Sequence, residues 1–199
     1  MRFLSATGLC AFLIAAPMTA TAQPNPFGEP GVLEAECAAA NLESCSKLAN
    51  YLSTRDAAES KARSVELHAA TCDKGYLPAC GDLAAAYSLG LGVEQDEQRA
   101  YQINLDLCED KDYGPACNSV GFVHALGKAG FEKNDATAVT YFERACDLDH
   151  ASGCERAGKH WNSLLNPDRD TAKAVQFFRR GCDLGNRYAC SDLERLQDD

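Results

Sequence analysis

The chain is short of cations and short of recognisable chemistry. Its 19 Lys and Arg face 29 Asp and Glu, a formal net charge of −10. That balance argues against nucleic acid or anionic lipid as the main partner, because both demand a positive patch. No Cys-x-x-Cys occurs, which removes the usual dithiol redox motif and the usual zinc knuckle. Gly-x-Ser-x-Gly, His-Glu-x-x-His and phosphate-cradling glycine loops are also missing. The four histidines, His68, His124, His150 and His160, are scattered along the chain, so no metal site and no cofactor are expected. Nothing downstream of the first segment approaches the ~20 apolar residues of a transmembrane helix.

One fragment of catalytic vocabulary is present. Ser44-Cys45-Ser46-Lys47 reads as Ser-x-x-Lys, the nucleophile motif of serine penicillin-recognising enzymes. No Ser-Asp-Asn, Ser-x-Asn or Lys-Thr-Gly accompanies it, and Ser44 and Lys47 are read as ordinary residues at a helix start.

What the chain does have is a clock. Ten of its 11 cysteines form five pairs: Cys37 with Cys45, Cys72 with Cys80, Cys108 with Cys117, Cys146 with Cys154, and Cys182 with Cys190. Their first members advance in steps of 35, 36, 38 and 36 residues, the signature of stacked supersecondary units. Met1 and Arg2, the apolar run Phe3 to Ala16 and the small residues Ala20-Thr21-Ala22 predict a signal peptide over 1–22, cut after Ala22. Cys10 lies inside it and lacks a small residue directly before it, which argues against a lipid anchor. An even cysteine count in an exported, periplasmic or secreted protein predicts disulfides, and the pairing within each unit is the parsimonious one. Thiol exchange would need an exposed cysteine of low pKa, which ten uniformly spaced cysteines do not suggest.

Aligning the units on the first cysteine gives their local structure. Ala100, Ala138 and Ala174 stand eight before it, and Leu67, Ile103, Tyr141 and Phe177 five before it, an apolar helical face that defines helix A. Asp96, Asp135 and Asp170 are placed to cap helix A. Gly75, Gly185, Asn41 and Asp149 suit a left-handed residue at its end. Pro78 and Pro115 then fit the first turn of helix B, whose inward positions are Leu83, Tyr87, Val120, His124, Ala157 and Trp161. The first helix A is expected over 32–40, after a flexible leader at 23–31, and the solenoid fills 32–199. The predicted fold is all-α: an α/α solenoid of about five disulfide-stapled helix-turn-helix repeats.

Tyr87, Gly90, Gly92, Val93, Asp96, Arg99 and Ala100 resemble the pattern of the Sel-one-like repeats, relatives of tetratricopeptide repeats. With the cysteine spacing and a signal peptide, the closer resemblance is to the Helicobacter cysteine-rich proteins. The resemblance implies a monomeric scaffold that binds a protein or peptide on a concave face lined by helix A. Residues nine, six and two before the first cysteine are the candidates: Arg99, Gln102 and Asp106, then Thr137, Thr140 and Arg144, then Lys173, Gln176 and Arg180. Members of this branch are described as penicillin-binding proteins or β-lactamases. The resemblance therefore also implies, as an alternative, a hydrolase acting on a β-lactam or a scaffold holding a peptidoglycan fragment.

Overall fold

The computed structural model describes residues 27–198. Among them are ten α-helices and no strand: α1 (Pro30–Ala38), α2 (Leu42–Ser53), α3 (Ala58–Asp73), α4 (Leu77–Leu89), α5 (Glu97–Lys111), α6 (Gly114–Leu126), α7 (Asp135–Asp147), α8 (Ala151–Asn162), α9 (Thr171–Asp183) and α10 (Arg187–Asp198). Each packs chiefly on the helices before and after it in the chain, which makes the molecule a five-unit solenoid of A and B helices. The expected signal peptide lies outside the described residues, as does the leader up to residue 26. The end of the leader is corrected: α1 starts at Pro30, whose missing amide is no loss in a first helical turn, and it ends at Ala38.

Every A-to-B turn is closed by the disulfide of its own unit. Cys37 bonds to Cys45 between α1 and α2, and Cys72 bonds to Cys80 between α3 and α4. Cys108 bonds to Cys117, Cys146 to Cys154 and Cys182 to Cys190 in the three units that follow. The paired Cα atoms lie 4.4 to 4.7 Å apart, so each staple draws two helix ends together. The chain reverses through a left-handed residue at Ala40, Gly75, Asp112, Asp149 and Gly185. Asn41 is not one of them. It is extended and caps α2, accepting from the Ser44 amide at 3.1 Å, because Ala40 already makes the bend. Asp96 and Asp170 cap α5 and α9. At α7 the cap is Asn134 and not the expected Asp135, since a cap must be extended and Asp135 is already helical.

The core runs between the two helix layers as a spine of small residues. Ala49, Ala79, Ala84, Ala145, Ala157, Ala174 and Ala189 are wholly buried, together with Cys108, Cys117, Cys146 and Cys154. Cys45 and Cys80 are buried as well, whereas Cys190, in α10, is half-buried. The staples of the inner units are therefore part of the packing as well as cross-links.

Packing between units changes along the solenoid. The residue four before the first cysteine is Leu33, His68, Asn104, Phe142 and Phe178 in turn. The residue four after the second cysteine of the preceding unit is Ala49, Ala84, Gly121 and Gly158. A Cβ on Gly121 would lie 2.6 Å from the Phe142 ring, and one on Gly158 would lie 2.6 Å from Phe178. Both phenylalanines are buried, so the two C-terminal junctions are ring-on-glycine contacts. The two junctions before them carry His68 with Ala49 and Asn104 with Ala84 instead.

Candidate functional site

The short side chain of Asn104 leaves space that Phe142 and Phe178 fill further along. A groove of about 490 Å³ opens there between α4, α5 and α6. Its apolar lining includes Ala84, Ala85, Ala100, Phe122 and Val123, and Leu89 and Leu126 stand exposed at its rim. α6 packs directly on α8 and α8 on α10, whereas α4 and α6 meet mainly through α5, whose Glu97, Ala100, Tyr101 and Asn104 form the floor.

Several of the polar groups are held in place. Asp82 accepts from Asn50 Nδ2 at 3.1 Å and stands 3.8 Å from Nδ1 of the buried His68. Burial pushes the His68 pKa down, against the opposing pull of Asp82. The Tyr101 hydroxyl lies 3.2 Å from His124 Nε2, and Phe131 packs on both rings. Burial first, then the Glu109 charge, pushes the Tyr101 pKa up, and burial pushes His124 down. Tyr101 is thus a neutral hydroxyl and His124 a neutral ring. Glu97 accepts from the Ala129 amide at 3.2 Å and pins the α6–α7 loop against the groove.

The residues expected from the sequence to bind lie elsewhere. On α5, Arg99, Gln102 and Asp106 point about 180° from Glu97, Ala100, Tyr101 and Asn104 at 100° per residue. They are largely spent on neighbours: Arg99 covers the Tyr87 ring at 4.2 Å and Gln102 donates to Asp106 at 2.6 Å. Arg144 reaches back one unit to Glu109 at 2.8 Å and Asp112 at 3.3 Å. Arg180 repeats this one unit later on Asp147 and Asp149, at 3.3 and 3.1 Å. Each also donates to a backbone carbonyl, of Glu109 and Asp147 respectively. Lys173 pairs with Glu143 at 2.7 Å and lies over the Trp161 ring, while Gln176 is exposed. Arg144 and Arg180 are therefore clamps between units rather than free grips. The sequence reading missed Asn104, and its signal was available: a polar residue in a register that holds phenylalanine in the next two units.

The two ends of the Ser-x-x-Lys fragment are engaged by other residues. The buried Ser44 hydroxyl donates to Glu36 at 2.5 Å, and Lys47 pairs with Glu43 at 2.6 Å on the surface. Among the described residues no cluster of three His, Cys, Asp or Glu could hold a metal ion, and no helix is long and apolar enough to cross a membrane.

The Sel1 repeat family model matches residues 77–102, 114–150 and 152–186, which are the units on either side of the groove and those that follow it. The chain belongs to the Sel1 repeat family. Cytochrome c oxidase assembly factor 7 of Xenopus tropicalis is 30% identical over 118 residues, 56% of this chain and 50% of that protein. The chain spans about half or less of the length of the curated relatives it matches. A Sel1 repeat protein from Oxalobacter formigenes superposes with a TM-score of 0.67 at 17% identity, over 80% of this chain and 64% of that one. Helicobacter pylori cysteine rich protein B does so at 0.51 with 26% identity, over 60% of this chain and 90% of that one. Sel1 repeats generally mediate protein interactions, and five disulfides suit an oxidising compartment.

Proposed function

We propose that this protein is an exported, monomeric scaffold that holds a protein or peptide partner in the α4–α5–α6 groove. The observation that carries the reading is the exchange of a packing phenylalanine for Asn104, which leaves an apolar recess with a few fixed polar groups where its neighbours are filled. A binding scaffold needs only a stiff shaped surface, and the staples supply stiffness in an oxidising setting, periplasmic or secreted. A relative named as a cytochrome c oxidase assembly factor is in keeping with this reading.

The test is selection of heptapeptides from a random display library on the oxidised protein, followed by binding to a variant whose groove is filled. The filling substitutions are Asn104→Phe with Ala84→Gly, which copy the next two junctions. Selected peptides should lose at least tenfold in affinity for the filled variant and keep their affinity for Lys173→Ala. Peptides that ignore the filling and fail on Lys173→Ala would return the binding surface to the helix A row.

A further inference from the structure

From the groove onward, one helix register forms a strip with opposite charges at its two ends. The residue two after the second cysteine is Asp82 in the second unit, Ser119 in the third and Arg156 in the fourth. Asp82 and Ser119 both line the groove. Arg156 holds the same register one unit on, and its guanidinium lies 3.7 Å from the centre of the Phe122 ring, itself part of the groove wall.

Arg156 differs from the two arginines that clamp neighbouring units. Arg144 and Arg180 are neutralised by two carboxylates each. Arg156 is half-buried and has no ion pair among the described residues, and its Nε is enclosed without an acceptor. The carboxylate beside it in sequence, Glu155, is held by Lys159, and Asp192 by Arg195. Burial lowers the pKa of Arg156, against the opposing pull of the Glu155 charge, and an arginine stays charged under any ordinary condition. A partly desolvated guanidinium that no carboxylate hydrogen-bonds favours an anion with two oxygens in one plane, the carboxylate geometry.

The strip is closed at this end. Beyond Phe122 the next junction is filled by Phe142 against Gly121, and α6 packs directly on α8. An extended chain laid along the groove therefore meets a wall at Arg156. A chain terminus fits a wall better than a continuing chain does.

On the reading that the groove binds peptide, we propose that its occupant is the extended C-terminal segment of a partner polypeptide. The free α-carboxylate lies on Arg156, an apolar side chain in the Ala84–Asn104 recess and a cationic side chain on Asp82. Two units span on the order of 20 Å at ~10 Å per helix spacing, which about six extended residues cover at ~3.3 Å each.

The probe is a fluorescein-labelled hexapeptide, Lys-Ala-Leu-Ser-Ala-Leu, with a free C-terminus, compared with its C-terminal amide by fluorescence anisotropy. The acid should bind at least tenfold more tightly than the amide. Arg156→Gln should bring the acid down to the level of the amide, and Arg156→Lys should restore part of the difference. Asp82→Asn should remove the preference for lysine over norleucine at the first position. Equal binding of acid and amide, both lost on filling the groove, would overturn the carboxylate assignment while leaving the groove as the binding site. No binding of either form would overturn this inference, and the library selection would then decide the groove by itself. Unfolding curves for Arg156→Gln and Arg156→Lys separate loss of recognition from loss of the Phe122 contact.

Discussion

The C-terminal and N-terminal junctions of this solenoid solve the same stacking problem with different residues. Between the third, fourth and fifth units, a phenylalanine seats on a glycine and an arginine reaches back to two carboxylates. Between the second and third units, Asn104 faces the Ala84 register, and the clamp position is Asp106, an acid that accepts from Gln102 on its own helix. The first group is built for cohesion, and the second leaves apolar surface open. In a quasi-one-dimensional protein, stability is a sum over units and junctions, so a weak junction can be kept where binding needs it while its neighbours hold the array.

The contrast can be broken most severely at its strongest contact. Phe178→Ala should destabilise by about 3–5 kcal/mol, as deletion of a buried ring does, while Asn104→Ala should be near neutral. Denaturant titration of the two variants checks the difference, and equal losses would abolish the distinction between the junctions. Next in size is the Cys108→Ser, Cys117→Ser pair, which removes a short cross-link worth about 2–3 kcal/mol. Thermal melting should shift down while the helical circular dichroism persists, because four other bridges remain.

A smaller effect, but a sharper one, comes from converting the open junction into a closed one. Asn104→Phe alone should destabilise, since the Ala84 methyl occupies the space the ring needs. Adding Ala84→Gly should reverse the sign to a gain of about 1 kcal/mol, the burial of a ring at ~2 kcal/mol less ~1 kcal/mol for a helical glycine. A double variant no more stable than the single one would show that the recess is not the vacant place of a phenylalanine. Arg144→Gln should cost less than about 1 kcal/mol, because its ion pairs are partly exposed, and the loss should fade at high salt.

The finest difference is in pH response. His68 stands in the register that holds phenylalanine at the later junctions, and burial keeps its pKa below the ordinary value near 6.5. A folded-state pKa below the unfolded one means that its contribution is complete above about pH 6.5 and is lost as pH falls through the folded value. His124, His150 and His160 are lowered as well, each chiefly by burial. Stability measured from pH 7 to pH 5 should therefore fall, and His68→Gln should flatten the slope without removing it. An unchanged slope would place the acid sensitivity at the other three histidines.

Much of the architecture is legible in particular residues. The cysteine period counts the units, Asp96 and Asp170 mark helix starts, and Gly75 and Gly185 mark helix ends. Each of these works within a single turn of chain, where local geometry decides. Asp135 and Asn134 are adjacent polar residues that could both serve as caps, and only the backbone shows which one is extended. The partners of the helix A row are illegible in the sequence for a different reason. Position on a helix tells that Arg144 and Arg180 face outward, but not that Glu109 and Asp147, one unit upstream, are waiting for them.

The sequence by itself determined the repeat, the number of units, the placement of the staples and most helix boundaries, because each rests on patterns no longer than one unit. The tertiary structure decided which surface is open. That choice depends on pairs from different units, Phe142 with Gly121, Phe178 with Gly158, Asn104 with Ala84 and Arg156 with Phe122. Whether two side chains fill a space or leave it empty is fixed only when the helices that carry them are stacked.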